Sequence, residues 1–134
     1  MENKKYRLTN ETHPQNPNLK RIIALVTIAE IVEAGDTGGW IESEKNLSVS
    51  GDAWVYVDAR VYGVKLSKTS DYILIGPIGS RDSFLTLTRE TATTGCFNGS
   101  WKELIQKSGD RKYTIQYKAA LHMAKAHFEM IDGR

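Results

Sequence analysis

The sequence predicts an α+β protein: an antiparallel β-sheet with a short β-helix-like segment, followed by two C-terminal α-helices packed on the sheet. Three observations carry that expectation. Apolar and β-branched runs separated by Gly, Pro and Asn clusters occupy the chain to about Phe97. From Ala53 the residues recur six apart, Ala53 with Ala59, Val55 with Val61 and Tyr56 with Tyr62. After Ser100 the apolar residues switch to helical spacing.

Taken in order, Lys4 to Thr9 and Leu19 to Ile28 read as a first strand pair, joined by a turn over Asn10 to Asn18 that contains Pro14 and Pro17. Gly35, Gly38 and Gly39 then interrupt the pattern before Trp40, which predicts a tight turn followed by a core anchor. The six-residue period from Ala53 is that of short strands bent at regular corners, as in a β-helix. Two hexads fall short of the ~3 repeats that a self-supporting solenoid needs, and an ordinary strand or hairpin fits them as well. Tyr72 to Ile75 and Phe84 to Arg89 predict a hairpin about the turn Pro77 to Asp82. Alternation places Leu85 and Leu87 on its core face and leaves Phe84, Thr86 and Thr88 on an available one.

Ser100-Trp101-Lys102-Glu103 matches a capping box, so a short helix begins at Ser100 and ends near Ser108-Gly109. Asp110 then caps a longer helix reaching about Met130, whose buried stripe is Tyr113, Tyr117, Ala120, Leu121, Ala124, Phe128 and Ile131. The expected organisation is a single domain over 1–134: strands, turns and two hexads over 1–66, a hairpin and sheet over 67–99, and helices over 100–131.

Composition narrows the function classes. A 15.0 kDa chain with 40% hydrophobic residues buries a real core, and its net charge of +2 argues against a long nucleic acid as partner. The one cysteine, Cys96, rules out an internal disulfide and a multi-thiolate metal site and suits a reducing compartment. The charged start, Met1 to Leu8, lacks the apolar core of a signal peptide, and no run approaches the roughly 20 apolar residues of a spanning helix. A cytoplasmic protein without membrane contact is expected.

No catalytic constellation stands out. A nucleophilic Cys96 needs a base such as His122 or His127, and no motif joins them, so Cys96 reads as a small buried hydrophobe. His122 and His127 are five apart and do not share a helix face as metal ligands would. No metal and no cofactor are therefore expected. An anion-binding role is better motivated: in Gly76 to Asp82 the glycines expose backbone amides while Ser80 and Arg81 add donors suited to phosphate. A plain turn with an Arg81–Asp82 surface pair explains the same residues. Phe84, Phe97 and Trp101 are candidates to stack on a base, and Thr86 and Asn98 to bond ribose hydroxyls, although each aromatic fits a core equally. The candidate ligand-binding set is Ser80, Arg81, Asp82, Phe84, Thr86, Phe97, Asn98 and Trp101.

Several of these residues also carry a resemblance. Gly79-Ser80-Arg81-Asp82, Leu85-Thr86 and Gly95-Cys96-Phe97-Asn98-Gly99, followed by a short and a long helix, resemble a recurrent domain of phage and prophage accessory proteins between about Tyr72 and Glu129. Gly35-Asp36, Gly38-Gly39-Trp40-Ile41-Glu42 and Asn46-Leu47-Ser48, continued by Trp54-Val55-Tyr56 and Ala59-Arg60-Val61-Tyr62-Gly63, resemble the lead-in to hexapeptide-repeat β-helices of the same sort of proteins. The sheet followed by two helices also resembles the sponge family that phages use against Thoeris defence, oligomers that sequester cyclic ADP-ribose signals without cleaving them. That resemblance implies an anti-defence protein, a cyclic nucleotide ligand and a homo-oligomer. The alternatives are an adaptor that inhibits a host defence enzyme and a hydrolase of the signal. Unpaired strand edges beside the two hexads independently favour homo-oligomerisation.

Overall fold

The computed structural model describes residues 3–79, 82–109 and 111–133, and the chain divides into two compact units, Met1–Thr69 and Ser70–Arg134. The architecture is α+β: two four-stranded sheets, with both helices in the second unit.

In the first unit, β1 (Tyr6–Thr12), β2 (Lys20–Ala24), β3 (Thr37–Ile41) and β4 (Arg60–Val61) lie in sequence order in one sheet. The first two junctions are antiparallel and the third is parallel, pairing Trp40 with Arg60 and Ile41 with Val61. A parallel bridge between Leu47 and Leu66 continues that pairing. The hexad segment is therefore a parallel return on β3 and not a hairpin. Its equivalent pairs Ala53 and Ala59, Val55 and Val61 are all buried, while Tyr56 stays exposed.

Close backbone approach explains the glycines that precede Trp40. Gly38 and Gly39 lie inside β3, not in the tight turn that the sequence suggests, and the Gly39 amide donates to Val55 O at 2.8 Å. A Cβ on Gly38 would stand 2.6 Å from the Trp54 ring and 2.9 Å from Val55 O, and one on Gly39 would run into the carbonyl oxygens of Tyr56 and Ala59. Trp40 is buried beside them, with the Arg21 guanidinium 3.9 Å above its ring and His13 meeting it edge-on. Two buried polar anchors brace this unit. The Tyr6 hydroxyl donates to Leu47 O at 2.6 Å, and burial pushes its phenol up to about 12. The Arg60 guanidinium donates to Asn16 Oδ1 at 2.6 Å.

In the second unit, β5 (Tyr72–Ile78), β6 (Ser83–Thr88), β7 (Thr91–Thr94) and β8 (Phe97–Ser100) form an antiparallel meander, followed by α1 (Trp101–Lys107) and α2 (Arg111–Asp132). The expected hairpin is β5 and β6, with Ile75 opposite Leu85 and Ile73 opposite Leu87. A second hairpin, β7 and β8, occupies what the sequence suggests is a lead into the helix. Only Ala92 and Phe97 are apolar there, and Asn98 and Gly99 are poor strand formers, so local preference is weak and pairing supplies the order.

The core of this unit joins Leu85, Leu87 and Ala92 of the sheet to Leu104 of α1 and to Tyr117, Ala120, Ala124 and Phe128 of α2. Most of the predicted α2 stripe is thus buried, whereas Ile131 is exposed and Asp110 lies outside the described residues. Arg89 ties the end of α2 to the sheet through a two-pronged pair with Asp132, at 2.7 and 2.9 Å, and a bond to Asp71 at 2.8 Å.

The glycine contacts give a stability prediction. Gly39→Ala forces carbon against two backbone oxygens and should cost about 3 kcal/mol, at the upper end of overpacking. Gly51→Ala, at φ +74° in open space, should cost only about 1 kcal/mol from left-handed strain. Urea denaturation of both variants would measure the contrast.

Candidate functional site

A cleft of about 200 Å³ opens in the second unit, lined by Ile78 of β5, Ser83 of β6, Thr94 to Phe97 at the β7–β8 turn, Leu104, Lys107 and Ser108 at the end of α1, and Tyr113 and Tyr117 of α2. Each wall has a local cause. At the β7–β8 turn, Thr94 opposes Phe97, and Gly95 supplies the positive φ of +55° that the two-residue loop requires at its first position. This geometry leaves Cys96 at the tip, exposed, where the sequence suggested burial.

The second wall depends on how α1 starts. Ser100 ends β8 and also caps α1: its Oγ accepts from the Glu103 amide at 3.1 Å, and Glu103 Oε1 accepts from the Ser100 amide at 2.9 Å. The predicted capping box is present in full. Because the cap fixes where the helix begins, it also fixes that Leu104 faces the core while Lys107 and Ser108 arrive at the cleft one turn later. The Ser108 hydroxyl donates to Ile105 O at 2.8 Å and hydrogen-bonds Thr114, which ties the end of α1 to the start of α2.

The third wall is α2. Gln116 Oε1 accepts from the Gly79 amide at 2.7 Å, and Tyr117 packs against Gly79, which has no Cβ to clash with the phenol. Burial, with Tyr113 alongside, raises the Tyr117 phenol above its ordinary value. It stays protonated at neutral pH, so it is a hydroxyl donor.

Only part of the sequence-predicted set reaches this place. Ser80 and Arg81 lie outside the described residues. Asp82 holds a turn at φ +48°, its amide donating to Gly79 O at 3.3 Å. Phe97 lines the cleft. Asn98 follows it on β8 and therefore points to the opposite face, where its Oδ1 accepts from Thr93 Oγ1 at 2.9 Å. Phe84 and Thr86 share that opposite face. It is not the open surface expected for it, since Thr86 is 1% exposed and Thr88 3%. Trp101 is held by its indole N–H, which donates to Thr88 O at 3.0 Å, and its ring packs toward Phe128.

The cleft also holds residues that the sequence did not mark: Ser83, Thr94, Lys107 and Ser108, together with Tyr113 and Tyr117, which read only as core. The available signal was the Lys107-Ser108-Gly109 break between two helices, with a tyrosine one turn beyond. Neither His122 nor His127 lines the cleft, and His127 Nε2 is engaged with Ser70 O at 2.9 Å. Among the described residues no group of three or more His, Cys, Asp or Glu is placed to hold a metal, and no helix is long and apolar enough to cross a membrane.

The cap gives the next prediction. Ser100→Ala should cost about 1 kcal/mol in urea denaturation and loosen the α1 wall. Bonds to the Ser100 amide and hydroxyl hold the Glu103 carboxyl below its ordinary value. Its contribution is present above the unfolded pKa of ~4.3 and is lost as pH falls through the lower folded value. The stability difference between the protein and Glu103→Gln should therefore be flat near neutrality and shrink below about pH 4; a difference that grew on acidification would contradict it.

No protein-family model matches the chain, and no curated protein or solved structure matches it.

Proposed function

We propose that the protein binds a small phosphorylated nucleotide in the cleft of the second unit and holds it without cleaving it. In its full form the proposal is a phage-encoded anti-defence protein, acting in the cytoplasm of a bacterial host as a sponge for a cyclic ADP-ribose type signal. The observation that carries it is the convergence of Lys107 with the hydroxyl-bearing residues Ser83, Thr94 and Tyr117 beside Phe97 as lining of one cleft. An ammonium and several hydroxyl donors suit a phosphate and a ribose, and an aromatic ring suits a base.

Size refines the proposal. Sites that engulf a drug-sized ligand measure roughly 300–1,000 Å³, so a cleft of about 200 Å³ takes one base, ribose and phosphate portion and leaves the remainder in the open. Cleavage has less support. A thiolate at Cys96 needs a base beside it, and the histidines considered for that role are elsewhere.

Isothermal titration against cyclic ADP-ribose isomers and cyclic oligonucleotides, followed by heat release and mass measurement, tests this. Binding with recovery of unaltered ligand is expected. Lys107→Glu should weaken binding at least tenfold, since a charge-assisted hydrogen bond contributes about 1.5–3 kcal/mol and tenfold corresponds to about 1.4 kcal/mol. Absence of binding across the panel, or affinity unchanged in Lys107→Glu, would overturn the assignment, and ligand returned with altered mass would replace sequestration by hydrolysis.

A further inference from the structure

A second cavity, of about 290 Å³, lies in the first unit beside the end of the β1–β2 pair. The Leu25 amide donates to Lys5 O at 2.8 Å, which sets the residues that enter β1 next to those that leave β2. Val26, Ile28 and Val49 supply apolar walls. Lys5, exposed Lys4 and exposed Asp52 supply the charges. None of these residues belongs to the cleft of the second unit.

The wall at Ile28 is built against local preference. Ile28 exchanges both backbone bonds with Val32, at 2.8 and 3.0 Å, across a turn in which Ala29 and Glu30 hold left-handed φ of 53° and 62°. Neither is the Gly, Asn or Asp that such a turn selects. Strain of this kind persists where the surrounding structure imposes it, and it clusters at ligand sites.

Lys5 is the unusual member of the lining. It is 5% exposed, and burial holds its ammonium below the ordinary lysine value against the opposing pull of Asp52. Its Nζ donates to Ser48 O at 3.0 Å, beside the Val49 wall, which uses one of the three bonds an ammonium can donate. Among the described residues Lys5 forms no salt bridge, so Asp52 acts on it from beyond 4.0 Å. A buried charge is normally paired in contact. Here the two opposite charges line one cavity and stand apart.

We infer that this cavity binds a small aliphatic α-amino acid, whose carboxylate meets the Lys5 ammonium, whose ammonium meets Asp52, and whose side chain lies against Val26, Ile28 and Val49. A zwitterion closes the open Lys5–Asp52 pair from both sides. A simple carboxylate would be repelled by Asp52, and a simple amine would leave Lys5 without a counterion. Size agrees: about 290 Å³ stands just below the roughly 300–1,000 Å³ of sites for drug-sized ligands, which suits a molecule as small as a free amino acid.

Isothermal titration of the full chain with leucine should show saturable binding. Isocaproate, which is leucine without its amine, and isoamylamine, which is leucine without its carboxylate, should each bind at least tenfold more weakly, as expected for the loss of one charge-assisted hydrogen bond. Lys5→Met keeps the length of the side chain and removes its charge, and it should abolish leucine binding with an unchanged circular dichroism spectrum. Asp52→Asn, at an exposed position, should weaken leucine but not isocaproate, so that the gap between the two closes. Absence of saturable leucine binding, isocaproate bound as tightly as leucine by the unmodified protein, or leucine affinity unchanged in folded Lys5→Met or in Asp52→Asn would overturn the inference. The Asp52→Asn comparison decides the matter even if Lys5→Met does not fold.

Discussion

Alternation along the strands of the second unit decides which side chains can meet. On β6 and β8 successive residues point to opposite faces, so Ser83, Leu85, Leu87 and Phe97 face α1 and α2, whereas Phe84, Thr86 and Asn98 cannot. No rotamer change moves a residue across the sheet. The helix face thus receives both the core and the cleft, and the sheet's own polar contribution to the cleft, Ser83 and Thr94, is confined to strand ends where that face runs out.

This constraint also explains what the sequence could and could not disclose. The α+β class, the β5–β6 hairpin, the capping box at Ser100 and the inner stripe of α2 were legible because each is local: a turn, a cap or a period of 3.6 states itself within a few residues. Phe97 and Asn98 were grouped because they are neighbours in the chain, yet neighbours in a strand are separated by the sheet. Recognising that needed β8, whose own residues announce a strand weakly. Tyr113 and Tyr117 were legible as core, but their second use as cleft lining depends on the β7–β8 turn that forms the facing wall, and those strands announce themselves weakly.

The cleft is assembled from ends: the last residues of α1, the first turns of α2, and a two-residue hairpin loop. Element ends have fewer backbone bonds than element centres and lie at the low end of local stability. Ser108 bridges two of them through Ile105 and Thr114, and Gln116 secures the Gly79 amide, so the lining is tied by side chains where the backbone ladder stops. Ser108 thus lines the cleft and holds its wall in place at once.

Gly38 and Gly39 have a consequence for the order in which the first unit can assemble. The parallel return of residues 53–61 finds room only where β3 lacks side chains, and Trp40 stands immediately beyond. A shift of one position would press the Trp40 indole into the carbonyls of Tyr56 and Ala59, or the Thr37 branch into the Trp54 ring and Val55 O. The glycine pair therefore works as a keyhole: of the many alignments that two short strands with little sequence of their own can try, it admits one and rejects its neighbours by steric exclusion.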